Sequence, residues 1–199
     1  MKRIDTNLER TEKYLKTFNR KKVIKLLVND DNPIIFDVGA NNGASIIEFK
    51  EYWPDSIIHC FEPQEECWED LFTIEKKYMN NSVVINKCAT GNIPNKKALF
   101  YTHNITTGQS GFNKINMESI DSIYLEKIKK NNSQFSNYNS SVNHERIVPI
   151  IRLDNYMEKN NINNVNLLKI DTQGFEPEVL DGLGKKLCNI DVIITELMF

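Results

Sequence analysis

The stretch Phe36-Asp37-Val38-Gly39-Ala40-Asn41-Asn42-Gly43-Ala44-Ser45 decides the fold. It continues the apolar run Ile34-Ile35 and leads into a helical pattern that ends before Pro54. A buried strand that enters a glycine turn and then a helix is the opening of a strand–helix–strand unit. Gly39 permits a tight turn, Gly43 permits close backbone approach, and Asn41 is a residue type that tolerates a left-handed backbone. A loop of this kind presents backbone N–H groups at a helix N-terminus, where an anion or carboxylate can be held. As a glycine pattern alone it is weak, because dinucleotide enzymes use a related turn.

Outward from this stretch the alternation repeats. Residues 57–61 read as a second buried strand, and residues 63–78 as a helix with Trp68, Leu71, Phe72 and Tyr78 along one side. Residues 83–86 form a third strand, 167–170 another, 176–187 a further helix and 192–196 a last strand. Short apolar strands separated by amphipathic helices predict an α/β fold, with a parallel sheet covered on both faces. Upstream, residues 6–28 read as one helix, with Leu8, Leu15, Phe18, Val23 and Leu27 at imperfect helical spacing, stopped by Asp30-Asp31-Asn32-Pro33.

Residues 1–199 are thus read as a single domain, with an N-terminal helical segment over 1–30. The pattern breaks between residues 98 and 151. Leu99-Phe100-Tyr101 and residues 147–153 look like strands, but residues 103–147 read as a loop-rich insertion, either a surface feature or a substrate lid. Its Asn- and Ser-rich part, residues 131–141, is low in complexity.

Two strand ends carry acids. Glu62, in His59-Cys60-Phe61-Glu62-Pro63, lies 19 residues past Gly43 and ends the second strand. An acid there can accept hydrogen bonds from both hydroxyls of a ribose, whereas its plainer role is a charge at a helix N-terminus. Pro63 suits the first turn of the next helix. Asp37 likewise ends its strand, where it can meet a cationic or hydroxyl-bearing ligand. In Leu167-Leu168-Lys169-Ile170-Asp171-Thr172-Gln173-Gly174-Phe175-Glu176, Asp171 ends another strand on the same sheet edge. Asp171, Glu176 and the Gln173 amide can bind an acceptor hydroxyl and take its proton, with helix capping as the alternative for Asp171. His103, opening the polar loop, is a third candidate base, though a lone loop histidine is more often a surface residue.

These blocks, with Asn86-Lys87-Cys88-Ala89-Thr90-Gly91 and Arg152-Leu153-Asp154-Asn155-Tyr156 between them, resemble the FkbM-family methyltransferases from about residue 34 to 196. The resemblance implies the strand order 3-2-1-4-5 and S-adenosylmethionine as methyl donor. It also implies transfer to an oxygen, commonly a hydroxyl on a sugar or secondary metabolite. By position, Asp37, Gly39, Asn41 and Gly43 would surround the donor's methionine part, Glu62 would hold the ribose, and Ala89 would lie by the adenine. Asp171 would stand between donor and acceptor. The family's sheet usually continues with an antiparallel pair, while this chain stops at Leu197-Met198-Phe199. The expectation is an open sheet edge, covered by further chain in a longer protein or by self-association.

Composition narrows the alternatives. With 40% hydrophobic and 26% charged residues, 199 residues make an ordinary globular domain. A net charge of -2 and scattered lysine pairs offer no basic groove for nucleic acid. No run approaches the roughly 20 apolar residues of a membrane helix, and the N-terminus has no apolar signal core. Cys60, Cys67, Cys88 and Cys188 lack CxxC spacing and read as thiols, so the expected location is cytoplasmic. Asp171 and Glu176 are oxygen ligands that leave a divalent metal open, without a dense acidic cluster that demands one. A nicotinamide-dependent oxidoreductase accounts for the glycine turn and Glu62 but not for Asp37 or the Asp171 block. A degenerate methyltransferase domain that binds without turnover is the remaining alternative.

Overall fold

The strands at the centre form because their apolar runs are buried from both sides. The computed structural model describes residues 7–78, 82–93, 96–103, 107–118 and 142–196. In chain order the elements are α1 (Asn7–Thr17), α2 (Arg20–Val28), β1 (Ile34–Val38), α3 (Ala44–Tyr52), β2 (Ile57–Phe61), α4 (Trp68–Lys77) and β3 (Val83–Asn86). There follow β4 (Ala89–Thr90), β5 (Lys96–Thr102), β6 (His144–Ile151), α5 (Leu153–Lys159), β7 (Val165–Ile170), α6 (Glu176–Asp181) and β8 (Ile190–Thr195). Five strands pair in parallel in the order β3-β2-β1-β7-β8. With β7 and β8 counted as fourth and fifth, this is the expected 3-2-1-4-5 order, and the fold is α/β.

Alternate residues of β1 feed two cores. Ile35 packs with Ile46, Phe49, Leu71 and Leu167 on the face of α2, α3 and α4. Phe36 and Val38 pack with Leu153, Met157, Leu168 and Val179 on the face of α5 and α6. Each such fully buried side chain contributes about 1.5–3 kcal/mol before ordering costs, so both faces hold the sheet. The C-terminal ends of β1, β2 and β7 therefore end together on one edge, which is where such sheets bind ligands.

Three helix boundaries differ from expectation. The N-terminal helix is two, because Asn19 adopts an extended backbone and its side chain caps α2 through Lys22 N at 2.8 Å. The helix after β2 starts later, with a 3-10 turn at Glu65–Cys67, and Pro63 lies ahead of it. The buried Glu62 carboxylate takes the Gln64 N–H at 2.8 Å and holds Gln64 extended. The last helix stops at Asp181 and resumes as a 3-10 helix at Gly184–Asn189.

A second sheet was not anticipated. β4 runs parallel to β6, and β6 pairs antiparallel with β5 from Thr102↔His144 to Lys96↔Ile150, in the order β4-β6-β5. Both ends of the insertion are thus strands, and the strand expected over 147–153 ends at Ile151, with α5 starting at Leu153. The low-complexity stretch 131–141 and residues 197–199 lie outside the described residues. No helix among the described residues is long and apolar enough to cross a membrane.

Candidate functional site

The glycine loop turns because three residues take left-handed backbones: Gly39 at φ 76°, Asn41 at 47° and Gly43 at 82°. Its N–H groups, however, are spent inside the protein. Gly39 and Ala40 donate to Phe61 O at 3.0 and 3.3 Å, Asn41 to Glu62 Oε2 at 2.8 Å, Gly43 to Ala40 O at 2.8 Å and Ala44 to Asn42 Oδ1 at 3.3 Å. The expectation of an exposed anion-holding loop is corrected for these groups: docking onto Phe61 and Glu62 and closing the turn on itself consume them. The close approach at the glycines is also internal. A Cβ on Gly39 would sit 1.9 Å from the Asp171 carbonyl oxygen, and one on Gly43 would sit 2.4 Å from Ile74 Cδ1.

Beside this loop is a cleft lined by residues of both sheets. Gly39, Asn41, Glu62, Ala89 and Asp171 all line it, so the fold brings together five residues singled out in the sequence. Glu62 is almost wholly buried, with both carboxylate oxygens accepting backbone N–H groups, from Asn41 and Gln64. Burial raises its pKa, against the lowering effect of those N–H groups. Glu62 lines the cleft beside Val38, Phe61, Phe100 and Phe112. Thr90, also lining, is buried with no hydrogen-bond partner for its Oγ1 among the described residues.

Asp171 stands where this cleft meets a second, more open groove, lined by Asn42, Ser45, Glu48 and Lys169. Its Oδ1 accepts the Gln173 amide at 3.0 Å, and its Oδ2 lies 3.6 Å from Lys169 Nζ. Gln173 holds a left-handed backbone at φ 55°, a costly conformation that aims its amide back at Asp171. One oxygen is oriented by an amide and the other by the Lys169 ammonium, in a side chain that lines both cavities.

Asp37 and Glu176 lie elsewhere. Asp37 is fully buried and lines neither cavity; its Oδ2 accepts Ser45 Oγ at 2.6 Å and its Oδ1 accepts Lys169 Nζ at 3.2 Å. Glu176 is buried beneath the 172–175 turn, where one oxygen takes Thr172 N at 2.9 Å, Thr172 Oγ1 at 3.1 Å and Gly174 N at 3.2 Å. It shapes the turn and does not line the cleft. His103 is not a surface residue: it is buried, with Nδ1 accepting Asn143 N at 3.0 Å. Burial lowers its pKa. Among the described residues no group of three or more His, Cys, Asp or Glu is arranged to hold a metal ion.

Sequence reasoning passed over several residues. The 3-10 turn Thr107–Gln109 from the insertion folds onto the glycine loop, with Thr107 Oγ1 donating to Asn41 Oδ1 at 2.7 Å and Gln64 Nε2 donating to Thr107 O at 3.1 Å. Phe112 meets Phe100 edge-to-face at 5.2 Å and lies tilted against Phe175 at 4.2 Å between centroids, forming an aromatic wall. The lid reading of residues 103–147 covers both segments but singles out neither residue. Lys169 did carry a signal: an ionisable residue inside an apolar strand needs a partner. Burial works against its charge, but Asp37 and Asp171 outweigh it and raise its pKa.

The family model of the methyltransferase FkbM domain matches residues 37–199. The chain is similar to Methyltransferase 1 of Beauveria bassiana (strain ARSEF 2860), 28% identical over 84% of this chain and 65% of that protein. It is similar to 2-O-methyltransferase NoeI of Sinorhizobium fredii (strain NBRC 101917 / NGR234), 22% identical over 88% of this chain and 67% of that protein. It is also similar to methyltransferase sdnD of Sordaria araneosa, 24% identical over 78% of this chain and 62% of that protein. The chain thus spans about two thirds of the length of these relatives. Among solved structures, methyltransferase FkbM from Methylobacillus flagellatus KT aligns with a TM-score of 0.47 at 13% identity, over 77% of this chain and 29% of that one.

Proposed function

The chain belongs to the FkbM methyltransferase domain family, and on that premise we propose that it methylates a hydroxyl of a small-molecule or glycan acceptor using S-adenosylmethionine. The observation that carries the reading is the meeting of Glu62, Ala89, the glycine loop and Asp171 around one cleft at the C-terminal edge of a parallel sheet. The residues present suit an adenosine: apolar walls for a base, a buried carboxylate for hydroxyls, and an unpartnered Thr90 hydroxyl that calls for a polar ligand atom. S-adenosylmethionine, when bound, supplies a methyl group on a sulfonium.

The chain's own part is binding and orientation. Glu62 and Ala89 hold the adenosine end, and the glycine loop supports the remainder. Asp37, buried behind that loop, acts through Ser45 and Lys169 by fixing both. Asp171, steadied by Gln173 and Lys169, offers its carboxylate to the acceptor hydroxyl and takes its proton. Glu176 keeps the turn that carries Asp171 and Gln173 in shape. The name of NoeI as a 2-O-methyltransferase supports oxygen as the accepting atom.

Titration calorimetry with S-adenosylhomocysteine and with NAD tests the cofactor. The homocysteine ligand is expected to bind and NAD not, and Glu62→Gln to weaken binding by roughly 10- to 100-fold, the worth of a charge-assisted hydrogen bond. Binding of NAD alone would overturn the reading in favour of an oxidoreductase. In an acceptor screen, Asp171→Asn should lower turnover about 10²- to 10⁴-fold with much less change in donor affinity.

A further inference from the structure

Lys169 is the sole cation among the described residues that line the two cavities; the acids are Glu48, Glu62 and Asp171. Glu48 is already matched by Arg20 Nε at 3.1 Å and by the Tyr52 hydroxyl. Lys169 is placed by the parallel register, which sets it opposite Asp37 on β1. Its ammonium lies 3.2 Å from the buried Asp37 and 3.6 Å from the half-exposed Asp171. Neutralising Asp37 alone would need only a cation at the strand interior. The second carboxylate, at the junction of the cavities, asks for another explanation.

A methyl donor of the sulfonium type is cationic before transfer and loses that charge as the methyl group leaves. A bare carboxylate beside it stabilises the bound reactant more than the transition state and so opposes turnover. A carboxylate is nevertheless wanted there to receive the acceptor's proton. We propose that Lys169 is a positioning residue that compensates the Asp171 charge toward the donor, so that Asp171 stays turned to the acceptor hydroxyl instead of pairing with the sulfonium. The inference rests on the donor and Asp171 assignments above. It is independent of the acceptor's identity, because its signature lies in binding.

The readout is the ratio of dissociation constants for S-adenosylhomocysteine, which is neutral at sulfur, and S-adenosylmethionine, which is cationic there. In Lys169→Met the ratio should shift toward the cationic ligand by about 5- to 10-fold, as expected when a nearby unit charge goes uncompensated. Lys169→Arg should keep the parent ratio, and Asp171→Asn combined with Lys169→Met should return most of the way to it. A role confined to neutralising Asp37 predicts that Asp37→Asn combined with Lys169→Met keeps the parent ratio, and that result would overturn the proposal. Should Lys169→Met fail to fold because Asp37 is left unpaired, the pair Asp37→Asn with Lys169→Met removes both buried charges. The same shift is then expected, and its absence overturns the proposal equally. If the parent binds neither ligand, the donor reading itself fails and takes this inference with it, an outcome distinct from binding with a flat ratio.

Discussion

At Gly39 two constraints coincide: a left-handed backbone and an Asp171 carbonyl oxygen 1.9 Å from where a Cβ would sit. The blocking atom is main chain at the end of β7, so it cannot swing aside. Gly39→Ala should therefore destabilise the protein by about 2–4 kcal/mol, combining backbone strain and overpacking. Urea unfolding with a lower midpoint and unchanged slope would measure this. A midpoint equal to the parent's would mean that the loop has room to shift. The left-handed tendency of Asn41 was legible, because it depends on the residue and its glycine neighbour. The reason for Gly39 was legible only in part. The sequence suggested a turn and a ligand, whereas the neighbour that excludes a side chain is a distant strand end.

Between elements, the packing of β2 against α5 places a titratable group inside the apolar layer. His59 is wedged between Phe36 and Tyr156, with Nδ1 2.8 Å from the Tyr156 hydroxyl, and burial lowers its pKa from 6.5 to about 4. The native state therefore declines a proton that the unfolded chain accepts. Its contribution is complete above pH 6.5 and is lost as the pH falls toward 4, below which both states are protonated. The loss should reach about 2–3 kcal/mol at the lower end. His59→Gln keeps a polar group for Tyr156 but does not titrate, so its melting temperature should fall less than the parent's between pH 7 and 4.5. Equal falls would assign the acid sensitivity to other groups. Element identity was well marked by periodicity, as in β1, β2 and β7. Boundaries were not, because Asn19 and the Glu62–Gln64 bond end or delay helices through local hydrogen bonds that periodicity does not record.

For the molecule as a whole, the main consequence of the topology is that two sheets share one cleft. The five-stranded sheet contributes Glu62 and Asp171, whereas the three-stranded sheet and the chain beyond β5 contribute Ala89, Phe100, Ser110 and Phe112. The Thr107 turn links the two sides through Asn41 and Gln64. A ligand in the cleft should thus protect both sides at once. In hydrogen exchange, S-adenosylhomocysteine should slow exchange in residues 39–43 and 107–112 together, each by about tenfold or more when the ligand is near saturation. Slowing in the first segment alone would remove the insertion from the site.

Legible in the sequence were the strands and helices of the five-stranded parallel sheet and the acids near the ends of β1, β2 and β7, but not the second sheet or the break at Asn19. The legible features follow from apolar period, strand length and residue type, which act over a few neighbouring residues. How those acids divide their work follows from the packing of distant segments. Asp37 and Asp171 look alike in the sequence, each ending an apolar run, yet one faces Ser45 and Lys169 in the interior and the other faces two cavities. Asp37 lies within β1 in register with Lys169, one residue short of the strand end, whereas Asp171 follows the last residue of β7. The assembled fold also sets Glu176 beneath its turn and Thr107 upon the glycine loop. Burial and charge pairing are properties of the assembled neighbourhood, and distant segments supply that neighbourhood only once the chain has folded.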